Sequence, residues 1–177
     1  MRTLAALLLA AAIATPAAAE TILINNGRVV TNGAAGIIEN GDVLIVDGRI
    51  SAVGANIAAP RGARVVEADG SFVTPGAFAA MSEVGLSEIS GSGAPNDADI
   101  EGNLISAAAD AGNAFNPEVT AIPVTRIEGV TRAAIAPTAN GTIFDGRGAL
   151  VSMSGAPDSV FRDRAFMVVE LGETGAG

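Results

Sequence analysis

From Thr21 onward, apolar stretches of a few residues alternate with clusters of Asn, Asp and Gly. Thr21-Ile22-Leu23-Ile24 predicts a strand, Asn25-Asn26-Gly27 a turn, and Arg28-Val29-Val30 a second strand. Asp42 to Val46 and Arg49 to Val53 flank Asp47-Gly48. A two-residue type I′ turn needs φ > 0 at both central positions, which Asp-Gly tolerates, so this pair predicts a hairpin. Arg64 to Ala68 and Phe72-Val73 flank Asp69-Gly70 and Ser71 in a similar way. Up to Val73 the pattern is a meander of hairpins.

The pattern changes after Thr74-Pro75-Gly76. Asn103 to Phe115 is Ala-rich and compatible with a helix. Asn116-Pro117-Glu118 has the order of a helix start, with Asn as the cap, Pro in the first helical position and an acid in the first turn. That helix is expected to end before Gly129, and Pro123 within it predicts a kink or break. Val130 to Ala136 predicts a strand stopped by Pro137, Phe166 to Leu171 a last strand, and Gly172 to Gly177 a loop. Strand, helix, strand in this order suggests βα units on a parallel sheet. No internal repeat of fixed period is present.

The N-terminus carries a different signal. Arg2 precedes an unbroken apolar run from Leu4 to Ile13, Thr15-Pro16 interrupts it, and Ala17-Ala18-Ala19 offers a small-residue cleavage site before Glu20. This is the layout of a secretory signal peptide, and the run is shorter than the roughly 20 residues a spanning helix needs. Residues 1–19 are therefore expected to be removed after Ala19, leaving a periplasmic protein with no membrane attachment.

Composition limits the chemistry. The 177 residues include no His, Cys, Trp or Tyr, and all 10 basic residues are Arg. Imidazole bases and ligands, thiolates, disulfides and Schiff-base lysines are excluded. A serine triad built on Ser82, Ser152 or Ser154 lacks its His. The net charge of -9 and the scattered arginines argue against a nucleic-acid partner. Gly91-Ser92-Gly93-Ala94-Pro95-Asn96 is Gly-rich, but acids follow it where a phosphate cradle needs a helix start and a Lys. Asp97, Asp99 and Glu101 alternate like part of a calcium loop without its full spacing. Asn140-Gly141-Thr142 reads as a turn.

Two segments carry a resemblance to a known family. Gly41-Asp42-Val43-Leu44-Ile45-Val46-Asp47-Gly48-Arg49-Ile50-Ser51-Ala52-Val53-Gly54 resembles the opening hairpin of amidohydrolase-superfamily enzymes. Gly70-Ser71-Phe72-Val73-Thr74-Pro75-Gly76 resembles that family's link into its barrel. Asn116 to Val124 and Gly129 to Arg132 are similar to the imidazolonepropionase-related subgroup, and the resemblance covers residues 21–171. It implies an α/β fold with a β-sandwich: composite-domain strands over 20–73, then the first βα units of an incomplete (β/α)8 barrel over 74–177. It also implies a hydrolase of non-peptide carbon–nitrogen bonds, using one or two divalent metals, usually zinc.

In this family the first metal ligands are a His-x-His at the end of the first barrel strand. The resemblance places those positions on Met81-Ser82-Glu83, with Gly85-Leu86 continuing the pattern. Both histidines are absent, so no metal or other cofactor is expected, no catalytic residue is assigned, and the chain alone is expected to be inactive. Glu83 and Glu88 are the candidate contacts at the barrel mouth, for an unidentified small molecule. The expected identity is a fragment or degenerate form of such a hydrolase. The rival readings are a periplasmic, non-catalytic binding or scaffold pseudoenzyme and an unrelated all-β adhesin-like domain. Open edges on strands such as Val130 to Ala136 and Phe166 to Leu171 predict self-association.

Overall fold

The computed structural model describes residues 20–88, 96–100, 106–139 and 142–172. The expected signal peptide, Gly91 to Pro95, Glu101 and Asn140-Gly141 lie outside the described residues. The chain divides into two compact units, one up to Pro75 and one from Gly76.

The first unit is a single sheet. Its strands are β1 (Thr21–Val30), β2 (Ile37–Val46), β3 (Arg49–Ala55), β4 (Arg64–Glu67) and β5 (Phe72–Val73). The order is β3-β2-β1-β4, with β5 also pairing β1. The β2–β3 hairpin turns at Asp47 and Gly48, both with positive φ (54° and 70°), as a type I′ turn requires. Leu23, Val29 and Val43 form the buried apolar centre. Ile50 remains 69% exposed on β3. Together with Ile24, Ile45, Val53 and Val73 it lines an apolar hollow of about 300 Å³.

Two local expectations change here. Asn25-Asn26-Gly27 is not a turn between strands but an irregularity inside β1, where the register against β2 shifts on both sides of Gly27. Asn26 takes φ 56°, and the buried Asp42 carboxylate stabilises the bulge. Its Oδ1 accepts the Asn26 N–H at 2.9 Å, and its Oδ2 accepts the Ile57 N–H at 2.8 Å. Likewise, Asp69-Gly70 does not join a hairpin. β4 and β5 both run parallel to β1, with Asn25 opposite Glu67 and Arg28 opposite Phe72. The excursion Ala68–Ser71 follows the bulge through Ala68 N to Asn25 O, Gly70 N to Asn26 O, and Arg28 N to Ser71 O. Gly27 is needed at this point, because a Cβ there would lie 2.6 Å from Val73 Cγ2.

The second unit is built on a four-stranded sheet. β6 (Ala77–Ser82) lies parallel to β8 (Val130–Ile135), followed outward by β10 (Phe144–Ser152) and β11 (Val160–Val169), giving the order β11-β10-β8-β6. β7 (Asp99–Ile100) and β9 (Thr138–Ala139) form a separate short parallel pair. The helical segments are short: a 3₁₀ turn at Ser106–Ala108, α1 (Ala111–Ala114) and α2 (Ala121–Ile127). The described residues are thus mostly β with few helices. The β6–α2–β8 crossover is the βα unit the sequence suggested. Beyond it the sheet turns antiparallel, since β10 opposes β8 and β11 opposes β10. The strand expected at Phe166–Leu171 overlaps the end of β11, which starts earlier, at Val160, and stops at Val169. β8 is paired on both sides, so it is not an open edge; among the described residues β11 pairs only with β10.

The helix predicted from Asn116 begins later, at Ala121. Asn116 Oδ1 accepts the Glu118 N–H at 2.9 Å, which forms an Asx turn ahead of the helix. Pro123 then falls in the first turn of α2, where its missing N–H has no intrahelical partner to lose, so it causes no break. The helix does end before Gly129, which takes φ 93°. The core between α2 and the sheet contains Leu86, Ile122, Ile135, Val151 and Met153, with Ala133 and Ala149 fully buried on β8 and β10. Small residues at these positions let the layers approach. At Gly148, opposite Phe166, a Cβ would lie 2.1 Å from the ring, so the aromatic lies directly over the glycine.

Candidate functional site: a carboxylate-lined cavity

β6 delivers Met81 and Ser82 to its C-terminal end, and Glu83 follows immediately. Met81 is 65% exposed there. Glu83 Oε1 accepts the Thr138 hydroxyl at 3.0 Å, which fixes the carboxylate against β9. A cavity of about 400 Å³ opens beside it, lined by Met81, Ser82, Glu83, Ala136, Pro137, Thr138, Asp145, Val168 and Glu170. Among the described residues three acids and no basic side chain line it. Glu83 also lines a neighbouring hollow of about 490 Å³ together with Glu88, Ser87, Thr120 and Val124. Glu83 and Glu88, the two candidate contacts, therefore share one hollow, and Glu83 alone belongs to both.

Asp145 and Glu170 were not singled out from the sequence. Asp145 sits between Phe144 and Gly146 at the start of β10, and the formation of that strand takes it inside. Its side chain is 5% exposed, and Oδ1 has no hydrogen-bond partner among the described residues. Burial pushes its carboxyl above the ordinary range, and the charge of Glu170 adds to this. Glu170 is brought close by its own N–H, which donates to Ile143 O at 2.9 Å and extends the β10–β11 pairing.

Other polar groups are already satisfied. Burial pushes the Asp110 carboxyl up, but hydrogen bonds with Arg164, Asp163 and the Gly112 N–H outweigh that and hold it below the ordinary range. The Arg164 Nε lies 2.6 Å from Asp110 Oδ2. Ser152, Ser154 and Ser159 form a chain of hydroxyls at 2.9 and 2.8 Å that ends on the Ala156 carbonyl, with no base attached. Asp97 and Asp99 sit around β7, where Asn96 reaches Asp99 Oδ2. Among the described residues no group of three or more His, Cys, Asp or Glu side chains could hold a metal ion. No helix among them is long and apolar enough to cross a membrane.

No protein-family model and no curated protein matches this chain. Solved structures do. Over 87% of its length it superposes on an amidohydrolase from Thermotoga maritima MSB8, with TM-score 0.71 and 28% sequence identity. The fold is amidohydrolase-like. The chain spans 40% of the Thermotoga protein's length. A D-hydantoinase is 31% identical over 42% of this chain and 15% of its own, at TM-score 0.33. A molinate hydrolase is 28% identical over 38% and 15%, also at 0.33. These two overlaps are too short to carry structural weight, so the likeness in fold rests on the Thermotoga protein.

Proposed function

We propose that this chain is a fragment or degenerate form of an amidohydrolase-superfamily hydrolase of non-peptide carbon–nitrogen bonds, related to the imidazolonepropionase subgroup and without metal-dependent activity of its own. The observation that carries the reading is the superposition on the Thermotoga amidohydrolase over 87% of the chain. The end of β6, where the resemblance places the family's first metal ligands, offers a thioether at Met81 and a carboxylate at Glu83 that already binds the Thr138 hydroxyl. A soft, weak thioether and one hard carboxylate do not fit a zinc or other divalent centre, and His and Cys are absent throughout. The signal-like residues 1–19 support export to the periplasm, with cleavage after Ala19. The acidic charge supports a small-molecule partner over nucleic acid.

A second reading, a periplasmic non-catalytic binding protein, is favoured by one observation: Asp145 is buried beside the cavity with a carboxylate oxygen that has no hydrogen-bond partner among the described residues. Incubating the purified chain with cyclic amides and imides, with and without added zinc or manganese, separates the readings. No turnover is expected under either condition. Metal-dependent ring opening would overturn the proposal, and binding without turnover would favour the second reading.

A further inference from the structure

We propose that the cavity at the end of β6 binds a small organic cation of the guanidinium type, with Asp145 as its anchor. The inference rests on the binding reading above, whose ligand class it names; it requires no catalysis. Asp145, Glu83 and Glu170 line the cavity, and no Arg does. A buried carboxylate oxygen without a donor is costly, and a native fold rarely leaves one so. Here Asp145 Oδ1 has none among the described residues, while the residue is 5% exposed. Glu170, just past the end of β11, lines the same cavity, and no basic residue among the described ones does. Burial of Asp145 against Glu170 pushes its carboxyl up, and a cation seated between them would reverse that.

A bare metal ion is a poor occupant, because the three acids do not converge as a ligand set. The volume of about 400 Å³ is that of a small-molecule pocket and far larger than one ion. A guanidinium spreads several N–H donors over a flat fork and reaches separate carboxylates at once, which a single ammonium does not. The Met81 and Val168 side chains supply apolar walls for the carbon attached to it.

The test is an NMR titration of the full chain with methylguanidinium, followed at the backbone amides of Thr138, Asp145 and Val168, with neutral N-methylurea as the isosteric control. Saturable shifts at those amides are expected with methylguanidinium and none with N-methylurea. Asp145→Asn should weaken binding by at least about tenfold, the scale of one lost charged hydrogen bond, and Glu170→Gln should weaken it less. Asp145→Asn removes an unpartnered charge, so it should keep the fold, and Glu170→Gln provides a second, more exposed variant. Unchanged affinity in both variants, or no shift with methylguanidinium, would overturn the proposal. Equal binding of N-methylurea would overturn the cation and leave the binding reading standing.

Discussion

Asp42 tests the physical account of the first sheet at a single side chain. It is 3% exposed, and its two oxygens accept N–H groups from different parts of the chain: Asn26 in the β1 bulge and Ile57 beyond β3. Asp42→Ala removes both acceptors. A hydrogen bond to a charged group contributes about 1.5–3 kcal/mol. Asn26 is exposed, so its N–H regains water and its loss falls at or below the low end; Ile57 is half-buried and loses more. The sum is about 2–4 kcal/mol. Asp42→Asn keeps one carbonyl acceptor but turns an NH₂ group on the other donor, so it recovers at most half. The assay is amide hydrogen exchange by NMR, which reads both donors directly. In Asp42→Ala the Ile57 amide should exchange at least about tenfold faster, a change of roughly 1.4 kcal/mol, and the exposed Asn26 amide faster by a smaller factor. The Ile135 amide, in the other unit, should be unaffected. Unchanged protection at Asn26 and Ile57 would refute the reasoning.

Three further outcomes are expected. Ile135→Ala, at the fully buried end of β8, should lower stability by about 2–5 kcal/mol in urea unfolding; a loss below about 1 kcal/mol would mean that the core is not packed there. Asp145 has a raised folded-state pKa, so its contribution is fully present below the ordinary 3.8 and is lost as pH rises through the raised value. Asp145→Asn should therefore gain stability over the parent as pH rises, and thermal unfolding between acid and neutral pH checks this; an advantage that shrinks with rising pH would contradict it. Asp110 has the opposite sign: held below 3.8, its contribution is present above that value and lost as pH falls through the lowered one. Asp110→Asn should destabilise at neutral pH, with the difference vanishing in acid.

How much was legible depended on whether the signal was local. The Asp47-Gly48 hairpin was readable because one dipeptide sets the turn and the flanking strands follow from it. Asp69-Gly70 carries the same dipeptide and similar positive φ values, 48° and 76°, yet forms no hairpin, because the strands on either side both find β1. That choice is made by long-range pairing, which no turn residue encodes. β10 left no periodic signal: Gly146 and Gly148 interrupt it, and its place between β8 and β11 is set by Ala149 and by Phe166 over Gly148. The same holds for the cavity. Glu83 and Glu88 are candidates by their position after a recognisable strand and link, and they line one hollow. Asp145 and Glu170 reach the cavity only through the antiparallel pairing of β10 and β11, which the expected parallel series did not contain. Pro123 shows how position within a helix reverses a residue's meaning, since a start three residues earlier would have made it a breaker.

On the proposed reading, the end of β6 holds Met81 and Glu83 where amidohydrolases have their first metal ligands, and these two offer no ligand set for zinc. Elemental analysis tests it most directly. The purified chain is loaded with zinc, dialysed against a competing chelator and measured for bound metal. Far less than one equivalent should remain, since Met81 and Glu83 together cannot outcompete the chelator. One equivalent of zinc surviving dialysis would contradict the account.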